Sequence, residues 1–213
     1  MRKPKLAGVV LAGGRATRMG GGDKPLLEIG GRTILARVLE RIARPDMPIV
    51  LNANEDPARF AAFGLPVVAD AMADYPGPLA GILAGLDWAA GKTGADLLLS
   101  VPGDCPFIPH DLAERLIEAR DKAGTPFACA ASGGWTHPVI GLWPLAMRED
   151  LRQALAGGER KIDRFTGRFG CTAAEWPIGA CDPFFNVNTP EELAEAERFA
   201  PLVAASSPNT QPR

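Results

Sequence analysis

The distribution of hydrophobic and polar positions predicts strands that alternate with helices through the first half of the chain. Residues 6–13 (LAGVVLAG) are almost all apolar, which is typical of a strand that is buried on both faces. Residues 32–43 carry apolar side chains at helical spacing. Further strands are predicted at 48–54, 65–70 and 95–104, with helices at 57–64 and 77–91. This alternation predicts βαβ units that build a mostly parallel sheet with helices on both faces.

The second half of the chain has a less regular pattern. Its predicted helices lie at 110–124, 144–158, 161–170 and 189–200, and its predicted strands at 126–132, 137–143, 171–178 and 183–188. The last helix starts with a capping box, in which Thr189 caps the first turn and Glu192 reaches back. Residues 201–213 are polar and rich in proline, so we expect a disordered tail there. Residues 1–200 are expected to form one domain.

Composition removes several classes of function. The 213 residues carry a net charge of −2, so no overall basic field favours binding to nucleic acid. No apolar run is long enough to span a membrane. The basic start MRKPK resembles a secretory signal only weakly, because the apolar run behind it is short and leads into charged residues. The four cysteines lack metal-site spacing, so we expect reduced thiols in a cytoplasmic protein.

A glycine-rich segment directly after the first predicted strand carries Arg15, Arg18 and Lys24. Glycines let backbone N–H groups converge on an anion, and cationic side chains add charge for phosphate. A flexible solvent loop would explain the glycines but not the three cations among them. Neither the GxxxxGK[ST] pattern nor the GxGxxG pattern is present, so the segment is neither a standard P-loop nor a dinucleotide fingerprint.

Polar residues stand where the next three predicted strands end: Asn52, Asp70 and Asp104. In open parallel sheets ligands bind beyond the carboxyl ends of the strands, so these residues predict a binding crevice. Each could also be a turn former. The Asp104 carboxylate is a hard oxygen ligand of the kind that Mg²⁺ prefers, and we take it as the candidate metal ligand.

The chain resembles the molybdenum cofactor guanylyltransferase family in several motifs. They are RMGGGDKPL (18–26), ADAMADYPGPLAGI (69–82), SVPGDCPFIP (100–109), THPVIGLW (136–143) and DPFFNVNTPEEL (182–193). The first motif is shared with other nucleotidyltransferases, and the combination is more specific. The resemblance implies a single-domain Rossmann-like three-layer α/β sandwich. It also implies a nucleotide-binding half (1–110), an acceptor-binding half (111–200) and transfer of GMP from GTP to the phosphate of molybdenum-carrying molybdopterin, with Mg²⁺.

The resemblance also implies roles for individual residues. Arg18 and Lys24 would hold phosphates as catalytic residues, and Asp104 would bind the metal and the nucleotide. Leu11, Ala12 and Gly13 would line the nucleotide through their backbone, and Asn52 and Asp70 would contact it. Candidate residues for the acceptor are His137, Asn186 and Asn188. His137 could equally be structural, and Asn188 could equally belong to the helix cap; alternate spacing on a predicted strand puts both asparagines on one side.

The attacking group in such a reaction is a phosphate oxygen, which is already largely anionic near neutrality because its second pKa is about 6. No general base is required, which suits a chain with two histidines and no evident Ser/His/Asp arrangement. Two related enzymes, a molybdopterin cytidylyltransferase and a sugar-phosphate nucleotidyltransferase, would use the same loop. A delivery module that binds GTP or pterin without catalysis is the alternative from another class. Partners beyond the substrates would be molybdoenzymes or their chaperones.

Overall fold

The computed structural model describes residues 3–13, 24–54, 56–72 and 77–206. Its strands are β1 (Leu6–Leu11), β2 (Glu28–Ile29), β3 (Arg32–Thr33), β4 (Ile49–Asn52), β5 (Val67–Val68), β6 (Leu97–Pro102), β7 (Phe127–Ser132), β8 (Trp135–Pro144) and β9 (Cys171–Trp176). Its α-helices are α1 (Ile34–Ile42), α2 (Pro78–Lys92), α3 (Leu112–Ala123), α4 (Arg148–Ala156), α5 (Ile162–Gly167) and α6 (Pro190–Ser206). Short 3-10 helices span Lys24–Leu26, Pro57–Phe63 and Leu145–Met147.

Seven strands form one sheet in the order β5-β4-β1-β6-β8-β7-β9. Strand β8 runs antiparallel to β6 and β7, and the other pairs are parallel. After β1 the chain first builds β4 and β5 on one side and then returns to place β6 on the other side. The order therefore reverses between β1 and β6, which is the position where open α/β sheets bind ligands.

Helices cover both faces of the sheet, as the sequence predicts. Val10 on β1 packs into one core cluster with residues of α1, α3 and α6. Its neighbour Val9 points to the opposite face and packs with residues of α2, α4 and α5. The predicted fold, a mostly parallel three-layer sandwich in one domain, is confirmed. Strands from residues 1–110 and 111–200 share the sheet through the β6–β8 pair, so the division into two halves stays a functional prediction.

Local elements differ from the prediction in three places. Residues 183–188 form a turn followed by a segment without regular secondary structure, so the strand predicted there is wrong. The backbone N–H of Val187 bonds to the carbonyl of Asp104 at 3.0 Å instead of joining a sheet ladder. The small β2–β3 hairpin was not predicted. Helix α6 continues to Ser206, so residues 201–206 are helical rather than part of a disordered tail, whereas 207–213 lie outside the described residues.

Helix α6 begins and extends for identifiable reasons. The predicted capping box is present: Thr189 Oγ1 accepts from the Glu192 N–H at 3.2 Å, and Glu192 Oε2 accepts from the Thr189 N–H at 3.0 Å. Phe199 and Val203 pack against the core, which favours helix beyond the predicted end. Among the described residues, no helix is both long and apolar enough to cross a membrane. The four cysteines are free thiols.

Candidate active site

The ends of β1 and β6 meet with almost no space between them. The Gly103 N–H bonds to the Leu11 carbonyl at 2.9 Å, and the Ala12 N–H bonds to the Asn52 carbonyl at 2.8 Å. A Cβ at Gly103 would lie 3.1 Å from the Leu11 oxygen and 3.4 Å from the Ala12 Cα. Glycine thus lets the chain leave β6 directly against the start of the glycine-rich segment. Gly13, the last described residue before that segment, is exposed.

Asp104 follows immediately, and one buried oxygen of its carboxylate has no hydrogen-bond partner among the residues that the structure describes. That oxygen is Oδ1. Burial raises the pKa of Asp104 above its ordinary value, and the nearby Lys24 ammonium lowers it by less. A buried acceptor without a partner normally lowers the free energy of unfolding. The position of this carboxylate therefore favours a functional role over a stabilising one.

The Asp104 carboxylate fits a magnesium ion. Mg²⁺ commonly takes one or two protein carboxylates and completes its shell with substrate phosphates and water. The described residues contain no cluster of three or more His, Cys, Asp or Glu side chains that could hold a metal ion by themselves. A single carboxylate with a free buried oxygen is therefore a suitable donor for an ion that arrives with a phosphate substrate.

Lys24 is held at this site by a hydrogen bond to Asn188, which lies 164 positions further along the chain. Its Nζ donates to Asn188 Oδ1 at 2.8 Å. The backbone N–H of Asn188 in turn donates to Glu192 Oε2 at 2.6 Å, so Asn188 is part of the α6 cap as well. Both interpretations of Asn188, as cap residue and as site residue, are thus compatible with its position.

Asn186 occupies a different environment from Asn188. Its Oδ1 accepts a hydrogen bond from the thiol of Cys105. Burial raises the pKa of the Cys105 thiol well above its usual range, so the sulfur is a hydrogen-bond donor and not a nucleophile. Because residues 183–188 are not a strand, the prediction that both asparagines share one strand face is wrong.

The structure brings Asn52 and Asp70 together at the ends of β4 and β5. Asn52 Nδ2 donates to Asp70 Oδ1 at 3.0 Å, and Asn52 is only 5% exposed. Asn54, which the sequence analysis did not select, makes two bonds to Asp70: its Nδ2 donates to Oδ2 at 2.6 Å, and its Oδ1 accepts from the Asp70 N–H at 2.7 Å. The NxN spacing at a strand end was the available signal.

Helix α2 packs so closely on these strand ends that only glycine fits. A Cβ at Gly81 would overlap Asn52 Oδ1 and lie 2.9 Å from Leu11 Cδ2. A Cβ at Gly85 would lie 2.7 Å from Val9 Cβ. Gly81 thus brings the first turn of α2 against Asn52 and Leu11, which are predicted nucleotide contacts, and Gly85 brings the following part of the helix against the middle of β1.

A family model described as "MobA-like NTP transferase domain" matches residues 8–169. A molybdenum cofactor guanylyltransferase from Rhodopseudomonas palustris (strain BisB5) is 58% identical over 199 residues, which cover 92% of this chain and 95% of the relative. The chain belongs to the molybdenum cofactor guanylyltransferase family. A second member, from Bradyrhizobium sp. (strain ORS 278), is 57% identical over 197 residues, 92% of this chain and 93% of the relative.

Solved structures share the fold of this family member. Molybdopterin-guanine dinucleotide biosynthesis protein A from Archaeoglobus fulgidus has a TM-score of 0.71 at 22% identity, with 92% of this chain and 99% of that chain covered. A CMP:2-keto-3-deoxy-manno-octonic acid synthetase complexed with CTP has a TM-score of 0.69 at 17% identity, with 95% and 100% covered. At these identities the likeness concerns the fold alone.

The part of the chain that is predicted to bind the acceptor contains a hydrogen-bonded group that the sequence analysis did not find. His137 Nε2 lies 2.7 Å from Ser132 Oγ, which lies 2.8 and 3.0 Å from the two carboxylate oxygens of Asp182. The three side chains are therefore hydrogen-bonded to one another, and the expectation that the chain has no Ser/His/Asp arrangement is wrong. Since 50 residues separate Ser132 from Asp182, spacing gave no signal of the contact.

Ser132 lies in the middle of this group, whereas in a nucleophilic triad the histidine does. A carboxylate can only accept hydrogen bonds, so the single Ser132 proton goes to Asp182. His137 then cannot take that proton as a base, and the group is not a serine nucleophile with its activating base. Arg15 and Arg18 lie outside the described residues, and the phosphate-binding role of Arg18 stays a prediction.

Proposed function

We propose that the protein transfers the GMP moiety of GTP to the terminal phosphate of molybdopterin carrying molybdenum, giving molybdopterin guanine dinucleotide cofactor and pyrophosphate. The main support is the unpaired buried oxygen of Asp104 beside the cationic Lys24, at the switch point of the sheet. The names of the relatives that are more than half identical over nine-tenths of the chain support the same substrates.

The reaction is a substitution at the α-phosphorus of GTP. An oxygen of the acceptor phosphate forms the new P–O bond, and the bond to the β-phosphate breaks, so that pyrophosphate leaves with its electron pair. The acceptor oxygen is already anionic, hence the protein has to align two polyanions and reduce their repulsion. Lys24 supplies one positive charge at this place, and Asn188 holds it there. Arg18 is proposed to supply another.

Asp104 would hold Mg²⁺, which when bound neutralises charge on the phosphate oxygens. The backbone of Leu11, Ala12 and Gly13 would line the nucleotide at the end of β1. Asn52 and Asp70 would contact its base or ribose. The Asn52 side chain is held by Asp70 and by the Val68 carbonyl at 3.3 Å, so its orientation is fixed before the nucleotide binds.

The acceptor would lie beyond β6 on the side of β8 and β7, where His137 and Asn186 stand. We further propose that the enzyme works in the cytoplasm, and that molybdoenzymes or their chaperones receive the product. The absence of a membrane-crossing helix among the described residues is compatible with this proposal.

Pyrophosphate release tests the assignment directly. The purified full-length protein is given GTP, CTP or ATP, with molybdopterin or a sugar 1-phosphate as acceptor, in the presence and absence of Mg²⁺. We expect rapid release only with GTP, molybdopterin and Mg²⁺ together. Faster turnover with CTP would make the protein a cytidylyltransferase, and turnover with sugar phosphates would make it a sugar nucleotidyltransferase. Tight GTP binding without release would favour the delivery module.

A further inference from the structure

Local structure brings His137 to Ser132. The β7–β8 turn consists of Gly133 and Gly134, both with positive φ (55° and 80°), which lets Ser132 pair directly with Trp135. The register between β7 and β8 shifts after Cys129, which pairs with Gly141, while the next residue of β7 pairs with His137. Such bulges redirect side chains and are frequent next to active sites.

The hydrogen bonds of this group determine where its protons are. Asp182 Oδ1 also accepts from the Phe184 N–H at 2.8 Å, so the carboxylate is surrounded by donors and remains the acceptor for the Ser132 hydroxyl. The Ser132 oxygen is then free to accept, and the donor that faces it is His137 Nε2. In a neutral imidazole with the proton on Nε2, Nδ1 carries a lone pair and can only accept.

Burial favours the neutral imidazole. Loss of solvent lowers the pKa of His137 below its ordinary value, and the negative charges of Asp182 and Glu175 oppose this effect only in part. The ring packs against Phe184 with 4.9 Å between centroids. None of the residues that the structure describes makes a hydrogen bond with Nδ1 of His137.

We propose that Ser132 and Asp182 are positioning residues that hold His137 as the Nε2–H tautomer, so that Nδ1 accepts a hydrogen bond from an N–H group of the pterin ring of the acceptor. The identification of the ligand as the pterin ring rests on the proposed function. The phosphate of the acceptor has only oxygens that accept, so it is a poor partner for a neutral Nδ1, whereas a pterin ring offers N–H donors.

The tautomer is measured on the protein alone. The chain has two histidines, so ¹⁵N NMR of the labelled full-length protein shows two imidazoles, and His137→Gln assigns them. We expect a protonated Nε2 and an unprotonated Nδ1 for His137 at pH 7.5. Ser132→Ala should give a mixture of tautomers, and Asp182→Asn should shift the population towards Nδ1–H. A wild-type Nδ1–H tautomer, or a variant spectrum identical to the wild type, would overturn the positioning role.

Kinetics test the ligand. Ser132→Ala and His137→Gln should each raise the KM for molybdopterin by about 3- to 10-fold, the effect of one hydrogen bond between neutral groups, with the KM for GTP within twofold of wild type. Ser100→Ala is the matched control, because Ser100 is equally buried on β6 and bonds to Val139 and Trp143 in the core. It should change neither KM.

The outcomes separate this inference from the proposed function. An unchanged KM for molybdopterin in Ser132→Ala, or an equal rise in the KM for GTP, would overturn the pterin contact. If wild-type protein transfers no GMP to molybdopterin, the proposed function fails and the pterin contact fails with it. The NMR result still decides the positioning role in that case, because it needs no substrate.

Discussion

Lys24 and Asn188 lie 164 positions apart and are joined by a 2.8 Å hydrogen bond from Nζ to Oδ1. Lys24 stands just after the glycine-rich segment, and Asn188 stands just before α6. The bond therefore connects the proposed nucleotide-binding half to the proposed acceptor-binding half, beside Asp104. It keeps a flexible cationic side chain at one place, which reduces the entropy lost when a phosphate binds.

The Lys24–Asn188 bond predicts non-additive losses of activity. Lys24→Met should lower kcat/KM for GTP by about 100- to 1000-fold, the usual effect of removing one transition-state charge stabiliser. Asn188→Ala should lower it by about 10-fold, because Lys24 remains but loses its position. The double variant should be little worse than Lys24→Met, since one interaction has been removed in both.

Lys92→Met, an exposed lysine at the end of α2, is the control and should keep full activity. Strictly additive losses for Lys24 and Asn188 would show that the two side chains act independently and would contradict the positioning argument.

Replacement of Asp104 should separate activity from stability. Because burial raises the pKa of Asp104, the folded protein binds its proton more tightly than the unfolded chain does. Stability therefore falls as the pH rises from the unfolded pKa through the folded one. In Mg²⁺-free buffer at pH 7.5, Asp104→Asn should have a melting temperature above wild type, and the difference should shrink near pH 4. The same variant should show no GMP transfer.

Asp121→Asn serves as the control for a carboxylate on the surface, where Asp121 pairs with Arg120. It should be active and nearly unchanged in melting temperature, since exposed ion pairs contribute little. A lower melting temperature for Asp104→Asn at pH 7.5, or turnover close to wild type, would rule out the metal-ligand assignment.

Asp70 should matter for the nucleotide through the side chains that it holds. In Asp70→Ala, the nearly buried Asn52 loses its 3.0 Å bond, and Asn54 loses its 2.6 Å bond to the carboxylate but keeps the bond from the backbone N–H of residue 70. We expect the KM for GTP to rise by about 10-fold or more, with the KM for molybdopterin unchanged. Asp56→Ala, which removes the cap of the nearby 3-10 helix, is the matched control and should leave both constants alone. Equal effects on both substrates would count against a nucleotide role.

Replacement of two glycines of helix α2 by alanine should have opposite effects on the stability of the protein. Gly81→Ala would push Asn52 and Leu11 aside, and we expect a loss of stability of about 1–3 kcal/mol together with a higher KM for GTP. A Cβ at Gly91 would have no atom within 4 Å. Gly91→Ala should therefore stabilise the folded protein by up to about 1 kcal/mol, because alanine is the better helix former. Urea unfolding measures both. A tolerated Gly81→Ala would mean that α2 is not packed as closely as described.

Much of this fold is predictable from the sequence because burial and period are local properties. The apolar runs of β1 and β6 and the amphipathic α1 are visible without any tertiary information. The same is true of the strand ends Asn52, Asp70 and Asp104, because parallel strands bring their carboxyl ends to one edge.

The remaining features depend on contacts between distant segments. Residues 183–188 have the composition of a strand, yet Val187 is tied to Asp104 and Asn186 to Cys105, so the segment follows the loop after β6 instead of a ladder. The contact of Ser132 with His137 depends on the two-residue turn that pairs Ser132 with Trp135, and the contact of Ser132 with Asp182 spans 50 residues. No pattern in the sequence predicts either arrangement.

The most direct test of the central claim is a crystal structure of the protein with GTP and Mg²⁺. We predict that the triphosphate lies against residues 12–13 and Lys24, with the ion bound to the Asp104 carboxylate at the ends of β1 and β6. A nucleotide bound anywhere else, or an ion that makes no contact with Asp104, would contradict it.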